Sequence, residues 1–281
     1  MRRTVLLPCL LLLASCALPA AADDVEVHDL SDLMNLQQAS RTDYATTYDV
    51  IRNSDYLVQL MERNPGTKAP PGRHQGSFFT LSLGDATFLA DRHPHGNGIR
   101  QTHAGEMELA YAPALGGGVK LTSTKPFRRL LIFAPPLVDE PATEEEIQAD
   151  AVRGPAEHKP HANIRKHDDG VDYRKPLKYR IPAAKKVAGY ALFEDNLGRE
   201  GIRPSLVVLK EPHAWPGSKQ QDTLWIPLEG KADAAYGGET SSLDSSKVLR
   251  LPKGYEGKVT FTPKTGRFVA LVIGVGDLSG K

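Results

Sequence analysis

Short apolar runs rich in β-branched and aromatic residues recur along the chain after residue 76, and Gly, Pro, Asn or Asp separates most of them. Runs of this length and composition predict β-strands. They cover residues 78–83, 86–90, 107–111, 119–122 and 129–134 in the first half, and 187–193, 205–209, 223–227, 248–251, 258–262 and 268–275 in the second. Gly84-Asp85 predicts a hairpin between the first two runs, and the continuous run 129–134 predicts a strand buried on both faces.

Residues 43–63 show a different pattern, in which large apolar side chains recur at spacings of three and four. This periodicity predicts a helix, and Asn64-Pro65-Gly66 would end it. The capping-box spacing of 143–146 predicts a second short helix over 143–152. Few helices among many short strands indicate a mainly β fold, an antiparallel β-sandwich or barrel-like sheets with a short N-terminal helical segment.

Residues 154–176 contain few apolar side chains and many charges and histidines, which predicts an exposed linker. The linker divides an N-terminal part, 23–153, comprising the helix and a β-rich half, from a C-terminal β-rich half, 177–281. The pattern leaves open whether the two halves form one domain or two.

Residues 1–22 have the layout of a secretory signal peptide: Arg2 and Arg3, an apolar run over 5–14, then small residues up to Ala22. The apolar run is about half of the ~20 residues that a spanning helix needs. Cleavage after Ala22 would leave a soluble periplasmic protein. Alternatively, Leu13-Ala14-Ser15-Cys16 (13–16) resembles the lipobox of bacterial lipoproteins. That resemblance implies lipid attachment at Cys16 and, because Ala17 rather than Asp follows, the periplasmic face of the outer membrane.

The composition removes several classes of function. Lys and Arg number 35 and Asp and Glu 34, so net charge gives no reason to expect nucleic-acid binding. The two cysteines, Cys9 and Cys16, both lie in the leader. The body therefore has no disulfide framework, no Cys-ligated metal and no cysteine nucleophile.

The strongest candidate for chemistry is His93-Pro94-His95 together with His103. Side chains two residues apart share a face of an extended segment, so His93 and His95 could ligate one divalent transition metal, with His103 or Glu106 as a third ligand. The spacing superficially resembles the His-x-His element of cupins. The acid expected within about five residues of the second histidine is missing, however, because residues 96–100 are Gly-Asn-Gly-Ile-Arg.

Trp215 lies in a loop flanked by proline and glycine, where an aromatic side chain could anchor a partner or close over the core. The chain contains no Gly-x-Ser-x-Gly, His-Glu-x-x-His or phosphate-loop motif. These observations favour a non-enzymatic bacterial envelope lipoprotein without a cofactor, anchored to the membrane by its lipid. Its expected partner is another envelope component: an assembly subunit, a polysaccharide, or a toxic effector that it neutralises as an immunity protein. The alternative is a metal-binding protein or metal-dependent envelope enzyme that uses the His-x-His loop.

Overall fold

The computed structural model describes residues 24–70, 72–74, 78–90, 98–110, 114–116, 118–134, 140–141, 189–191 and 202–275. Every regular secondary-structure element within these ranges is a β-strand, which confirms the prediction of a mainly β, antiparallel fold. No helical segment in this part of the chain has the length and hydropathy needed to cross a bilayer. The strands of the first half are β1 (Glu26–Asp29), β2 (Gln37–Arg41), β3 (Ala45–Arg52), β4 (Leu57–Arg63), β5 (Gly72–His74), β6 (Phe78–Ser82), β7 (Ala86–Ala90), β8 (Gly98–Thr102), β9 (Met107–Ala110), β10 (Ala114–Gly116), β11 (Val119–Leu121), β12 (Phe127–Phe133) and β13 (Glu140–Pro141). Those of the second half are β14 (Gly189–Ala191), β15 (Ile202–Leu209), β16 (His213–Pro216), β17 (Asp222–Glu229), β18 (Ala232–Tyr236), β19 (Glu239–Leu243), β20 (Lys247–Leu251), β21 (Lys258–Pro263) and β22 (Phe268–Val275).

The strands of the described residues form five sheets. Sheet I has the order β2-β3-β4-β12-β6-β9, sheet II β11-β7-β8, sheet III β1-β20-β17-β22-β15-β14, sheet IV β16-β21-β18-β19, and sheet V β10-β5-β13. Sheets I and II face each other, and we call the pair the N-terminal barrel; sheets III and IV form the C-terminal barrel in the same way. β1 belongs to the C-terminal barrel although it comes first in the chain, because it pairs with β20.

The two six-stranded sheets pack back to back and share the largest hydrophobic core. β22 shows how one strand serves two layers. Its odd-numbered residues from Val269 to Val275 enter the shared core, whereas Phe268, Ala270 and Val272 enter the C-terminal barrel. β12 is also buried on both faces. Leu130 and Ile132 face the shared core, whereas Leu131 and Phe133 face the interior of the N-terminal barrel. The prediction of a strand buried on both faces at 129–134 is thus confirmed over β12.

The helix predicted over 43–63 is wrong, because this segment forms the antiparallel strands β3 and β4. The side-chain oxygen of Asn53 accepts the backbone N–H groups of Asp55 and Tyr56, which fixes the turn between the two strands. The predicted hairpin at Gly84-Asp85 is also wrong. β6 belongs to sheet I and β7 to sheet II, so the chain crosses between layers at this point. The helix predicted over 143–152 and the linker 154–176 lie outside the described residues.

A buried polar network joins the two barrels. The Tyr56 hydroxyl donates to Asp222 Oδ2 at 2.6 Å, and Arg250 Nε donates to the same oxygen at 2.7 Å. Arg250 Nη1 reaches Glu26 Oε1 at 2.8 Å, and Lys253 N donates to Asp222 Oδ1 at 2.7 Å. Because each buried group has a partner, this polar cluster is compatible with the apolar core around it.

Candidate functional site

The interior of the C-terminal barrel is filled with aromatic and aliphatic side chains. The Trp225 ring stacks on Phe261 with centroids 3.9 Å apart, and Trp215 meets Trp225 edge to face at 4.9 Å. Phe268 lies beyond Phe261, with centroids 6.4 Å apart. Trp225, Phe261 and Phe268 are all fully buried. This packing closes the barrel as a hydrophobic core, in which the buried Trp225 Nε1 has no hydrogen-bond partner among the described residues.

The interior of the N-terminal barrel contains two arginines instead. Arg63 pairs with Phe127 across β4 and β12, and Arg129 lies two residues further along β12, so both arginines occupy the face that looks toward sheet II. Arg63 crosses the barrel, because its Nη2 donates to the Val119 carbonyl of β11 at 3.1 Å. Its guanidinium lies 5.5 Å from the Phe88 ring centroid, and Arg129 lies 5.5 Å from that of Phe127. Two cations thus share an interior that has aromatic walls.

Arg63 is the more buried of the two, with 7% of its surface exposed. Its Nε has no hydrogen-bond partner among the residues that the structure describes, and no carboxylate there pairs with its guanidinium. Burial, and secondarily the charge of Arg129, lower the pKa of Arg63 to about 10. The side chain therefore remains a cation at neutral pH, although its surroundings disfavour the charge.

Hydroxyl groups continue the polar interior from Arg129 toward one end of the barrel. Ser82 pairs with Arg129 in the sheet, and its Oγ lies 3.1 Å from Thr102 Oγ1. Thr102 donates to Glu106 Oε2 at 2.7 Å, and the same oxygen accepts the His103 backbone N–H at 2.9 Å. Glu106 thus has a structural role in closing the turn between β8 and β9.

Of the three histidines predicted to hold a metal, His103 lies in the part of the chain that the structure describes. His103 follows β8, and its Nδ1 lies 3.6 Å from Asp85 Oδ1 beside the start of β7. Residues 91–97, which include His93 and His95, connect the other ends of the two strands and lie outside the described residues. The three-histidine set therefore stays a prediction.

The described ranges contain no group of three His, Cys, Asp or Glu side chains placed to hold a metal ion. The donor set that they supply near His103 therefore does not complete a metal site. The lipid site Cys16 also lies outside the described residues and stays a prediction.

Trp215 is half-buried, because its ring covers Trp225 at the edge of the C-terminal core. This contact accounts for the position of the ring within the fold. A partner-binding role for Trp215 stays a prediction.

A surface cleft beside β17 and β22 contains charged residues that neutralise one another. Arg267 Nη2 contacts Glu229 Oε1 at 2.6 Å, and Lys231 Nζ lies 3.9 Å from Asp244 Oδ2. The cleft is broad and open. It has no buried charge that calls for a ligand, unlike the interior around Arg63.

Sequence reasoning overlooked Arg63 and Arg129. A usable signal was present, because Arg129 opens the apolar run 129–134 and Arg63 ends a segment rich in apolar residues. Charged residues at strand ends are usually solvated, however, and only the pairing register shows that these two lie on the same inner face.

No family model matches the sequence, and no curated protein matches it. Solved structures do share the fold. A salicylate 1,2-dioxygenase from Pseudaminobacter salicylatoxidans superposes with a TM-score of 0.60 at 12% identity, covering 92% of this chain and 87% of that one. An oxalate decarboxylase from Lactobacillus farciminis, in a formate complex, superposes with a TM-score of 0.52 at 12% identity, covering 92% of this chain and 87% of that one. A cupin 2 conserved barrel domain protein from Leptotrichia buccalis gives 0.52 at 10% identity, covering 89% of this chain and 96% of that one. The chain therefore has a cupin-like β-barrel fold.

These likenesses correct the interpretation of the chain as a non-enzymatic envelope lipoprotein devoted to binding a partner. Two of the three similar structures are described as enzymes, a dioxygenase and a decarboxylase, and none of the three is described as an envelope lipoprotein. The description of the chain as a protein-binding β-sandwich is corrected in the same way, because, of the two predicted forms, sandwich or barrel-like sheets, the structure has the barrel-like one. The periplasmic or outer-membrane location stays a prediction.

Proposed function

We propose that this protein binds a small molecule inside its N-terminal barrel, as an enzyme or binding protein of the cupin-like fold, and that its C-terminal barrel is a structural support. The contrast between the two interiors carries this proposal. Trp225, Phe261 and Phe268 fill the C-terminal interior, whereas Arg63 and Arg129 bring two cations into the N-terminal one.

The energetics support this assignment. A buried charge without a counter-ion costs several kcal/mol, so an apolar residue at position 63 would give a more stable barrel. Side chains that weaken the fold are typical of functional sites, where the ligand supplies the missing interaction. The similar dioxygenase and decarboxylase are named for small-molecule substrates, which supports a small molecule as the ligand here.

The positions of the two tryptophans provide an internal control for the test. Trp215 and Trp225 both lie in the C-terminal barrel, so tryptophan emission reports on that barrel alone. We expect a screen of small organic acids, amides, sugars and amines to yield a compound that raises Tm. That compound should leave the emission of the wild type unchanged and shift the emission of a Phe88→Trp variant. Saturable quenching of the wild-type tryptophans together with no response from Phe88→Trp would place the ligand in the other barrel and refute the proposal.

A second candidate function is a metal-dependent activity, because the fold is compatible with a bound divalent transition metal and His93 and His95 supply two nitrogen ligands. Elemental analysis of purified protein tests it, with the His93→Ala/His95→Ala double variant alongside. Stoichiometric metal that is lost in the double variant would support this function. A His213→Ala variant is the matched control, since His213 is an exposed histidine of the other barrel, and should retain any metal.

A further inference from the structure

We infer that the ligand of the N-terminal barrel is a small organic monocarboxylate whose carboxylate group binds Arg63. This inference rests on the proposed function and names its ligand class. The site is not one of the predicted metal positions, since none of its residues is a histidine or a carboxylate.

The charge of the site indicates an anion. Arg63 is 7% exposed, its Nη2 is used by the Val119 carbonyl, and its Nε has no acceptor among the described residues. A guanidinium presents its N–H groups in a planar fork that matches the two oxygens of a carboxylate. A bound carboxylate would therefore supply the acceptor for Nε and neutralise the buried charge in one contact.

The walls of the site indicate an apolar body on that anion. Phe88 and Phe127 meet edge to face with centroids 5.3 Å apart, and each lies against one of the two guanidinium groups. Ala86 and Leu121 pack into the same cluster. Such walls favour an apolar or aromatic group attached to the carboxylate. They disfavour a multiply charged phosphate, because aromatic and aliphatic side chains replace none of the hydration that it would lose.

The site also has the charge balance of a monoanion. Arg63 brings one positive charge that no described carboxylate offsets, whereas Arg129 makes interactions of its own. One negative charge is enough to neutralise Arg63. The nearby Ser82 and Thr102 hydroxyls are already committed to the chain of hydrogen bonds that ends at Glu106.

Calorimetric titration at pH 7 tests the inference with two matched pairs, benzoate against benzamide and isobutyrate against isobutyramide, and with inorganic phosphate. We expect at least one carboxylate to bind and its amide to bind far more weakly. Since a hydrogen bond to a charged group contributes ~1.5–3 kcal/mol, Arg63→Met should raise the carboxylate Kd about 10- to 100-fold. The same variant should raise the Tm of the ligand-free protein, because it removes a buried charge.

Two further variants keep the result interpretable. Arg128→Met is the matched control. Arg128 is next to Arg129 on β12, but its side chain lies on the opposite face of the sheet and its Nε pairs with Glu62 Oε2 at 2.7 Å. This variant should leave carboxylate binding unchanged. Arg63→Lys retains the charge and loses the fork, so it should fold and bind more weakly even if Arg63→Met does not fold. Binding of an amide or of phosphate without any carboxylate binding would overturn the inference and leave the proposed function standing. Failure of every compound to raise the Tm of the wild type would instead refute the proposed function itself.

Discussion

The Tyr56 hydroxyl gives the sharpest test of how the two barrels are joined. Its side chain is 1% exposed within the shared core, and its hydroxyl donates to Asp222 at 2.6 Å. Tyr56→Phe removes this oxygen and leaves the ring in place. Asp222 then keeps two donors, Arg250 Nε and Lys253 N, both at 2.7 Å.

The magnitude follows from these contacts. A buried hydrogen bond to a charged group contributes ~1.5–3 kcal/mol, and the two remaining donors on Asp222 place Tyr56→Phe toward the lower end, about 1.5–2 kcal/mol. Asp222→Asn removes the negative charge from a buried ion pair. It should lower the free energy of unfolding by about 3 kcal/mol, the lower end of the range for such pairs, because Arg250 keeps its contact with Glu26. The double variant should lose at least about 1 kcal/mol less than the sum, because the two residues share one hydrogen bond.

Urea unfolding measures these values as shifts of the midpoint at constant m. Tyr236→Phe is the matched control, because the Tyr236 hydroxyl contacts Ser241 Oγ at 2.7 Å within a half-buried hairpin, and its loss should cost under about 1 kcal/mol. If Tyr56→Phe costs no more than Tyr236→Phe, and the double-variant energies add, the network does not couple the barrels and this reasoning is wrong.

Tyr56 should also change how the stability of the fold depends on pH in the alkaline range. Burial, and then the charge of Asp222, raise the pKa of Tyr56. The folded state therefore keeps a proton that the unfolded state releases above pH ~10, and the wild type loses stability as pH rises beyond that point. Tyr56→Phe should lack this component. A parallel decline of both proteins above pH 10 would contradict the prediction.

Three further predictions concern single positions. The pKa of Arg63 is lowered to about 10, so the folded wild type releases this proton at a lower pH than the unfolded chain does. The stability advantage of Arg63→Met over the wild type should therefore be constant from pH 6 to 9 and shrink above pH ~10. An advantage that stays unchanged up to pH 12 would contradict this prediction. Leu271→Ala should cost ~2–5 kcal/mol in urea unfolding because Leu271 is fully buried, whereas Leu89→Ala, at a half-exposed site, should cost under about 0.5 kcal/mol. Gly230→Ala should lower Tm by several degrees, because Gly230 has φ +77° and an added Cβ would collide with the Arg267 carbonyl; an unchanged Tm would show that the turn can relax.

Sequence patterns correctly predicted strands that bury apolar side chains on both faces. β22 occupies the predicted range 268–275, because nearly every side chain in it is apolar and the run is too short for a typical helix. The hairpin β18–β19 was not predicted, since Ala-Asp-Ala-Ala-Tyr and Glu-Thr-Ser-Ser-Leu contain few β-branched or large apolar residues. Its signal was the Gly237-Gly238 turn, in which both residues have positive φ.

The error at 43–63 has a physical origin in the same layering. A register shift between Asp49 and Ile51 turns two successive residues, Val50 and Ile51, into the shared core. β4 then buries apolar residues on both of its faces. These two effects replace the alternation of a strand with spacings of three and four that mimic a helix.

The candidate site escaped prediction because it depends on register rather than on a motif. Arg63 and Arg129 are 66 positions apart, and neither is part of a recognisable pattern. They become neighbours because β4 and β12 pair antiparallel with Phe127 opposite Arg63. Information of this kind is carried by tertiary pairing and is absent from any short window of sequence.

The pairing of β1 with β20 sets an order of events during synthesis. The two strands are roughly 220 residues apart in the chain, yet they are direct neighbours in sheet III. At a translation rate of ~5–20 residues per second, β1 leaves the ribosome on the order of 10 to 40 s before its partner. Throughout that interval its backbone N–H and C=O groups have no native acceptor or donor. The nascent chain must therefore keep this strand solvated, or held by a chaperone, until the last quarter of the protein has emerged.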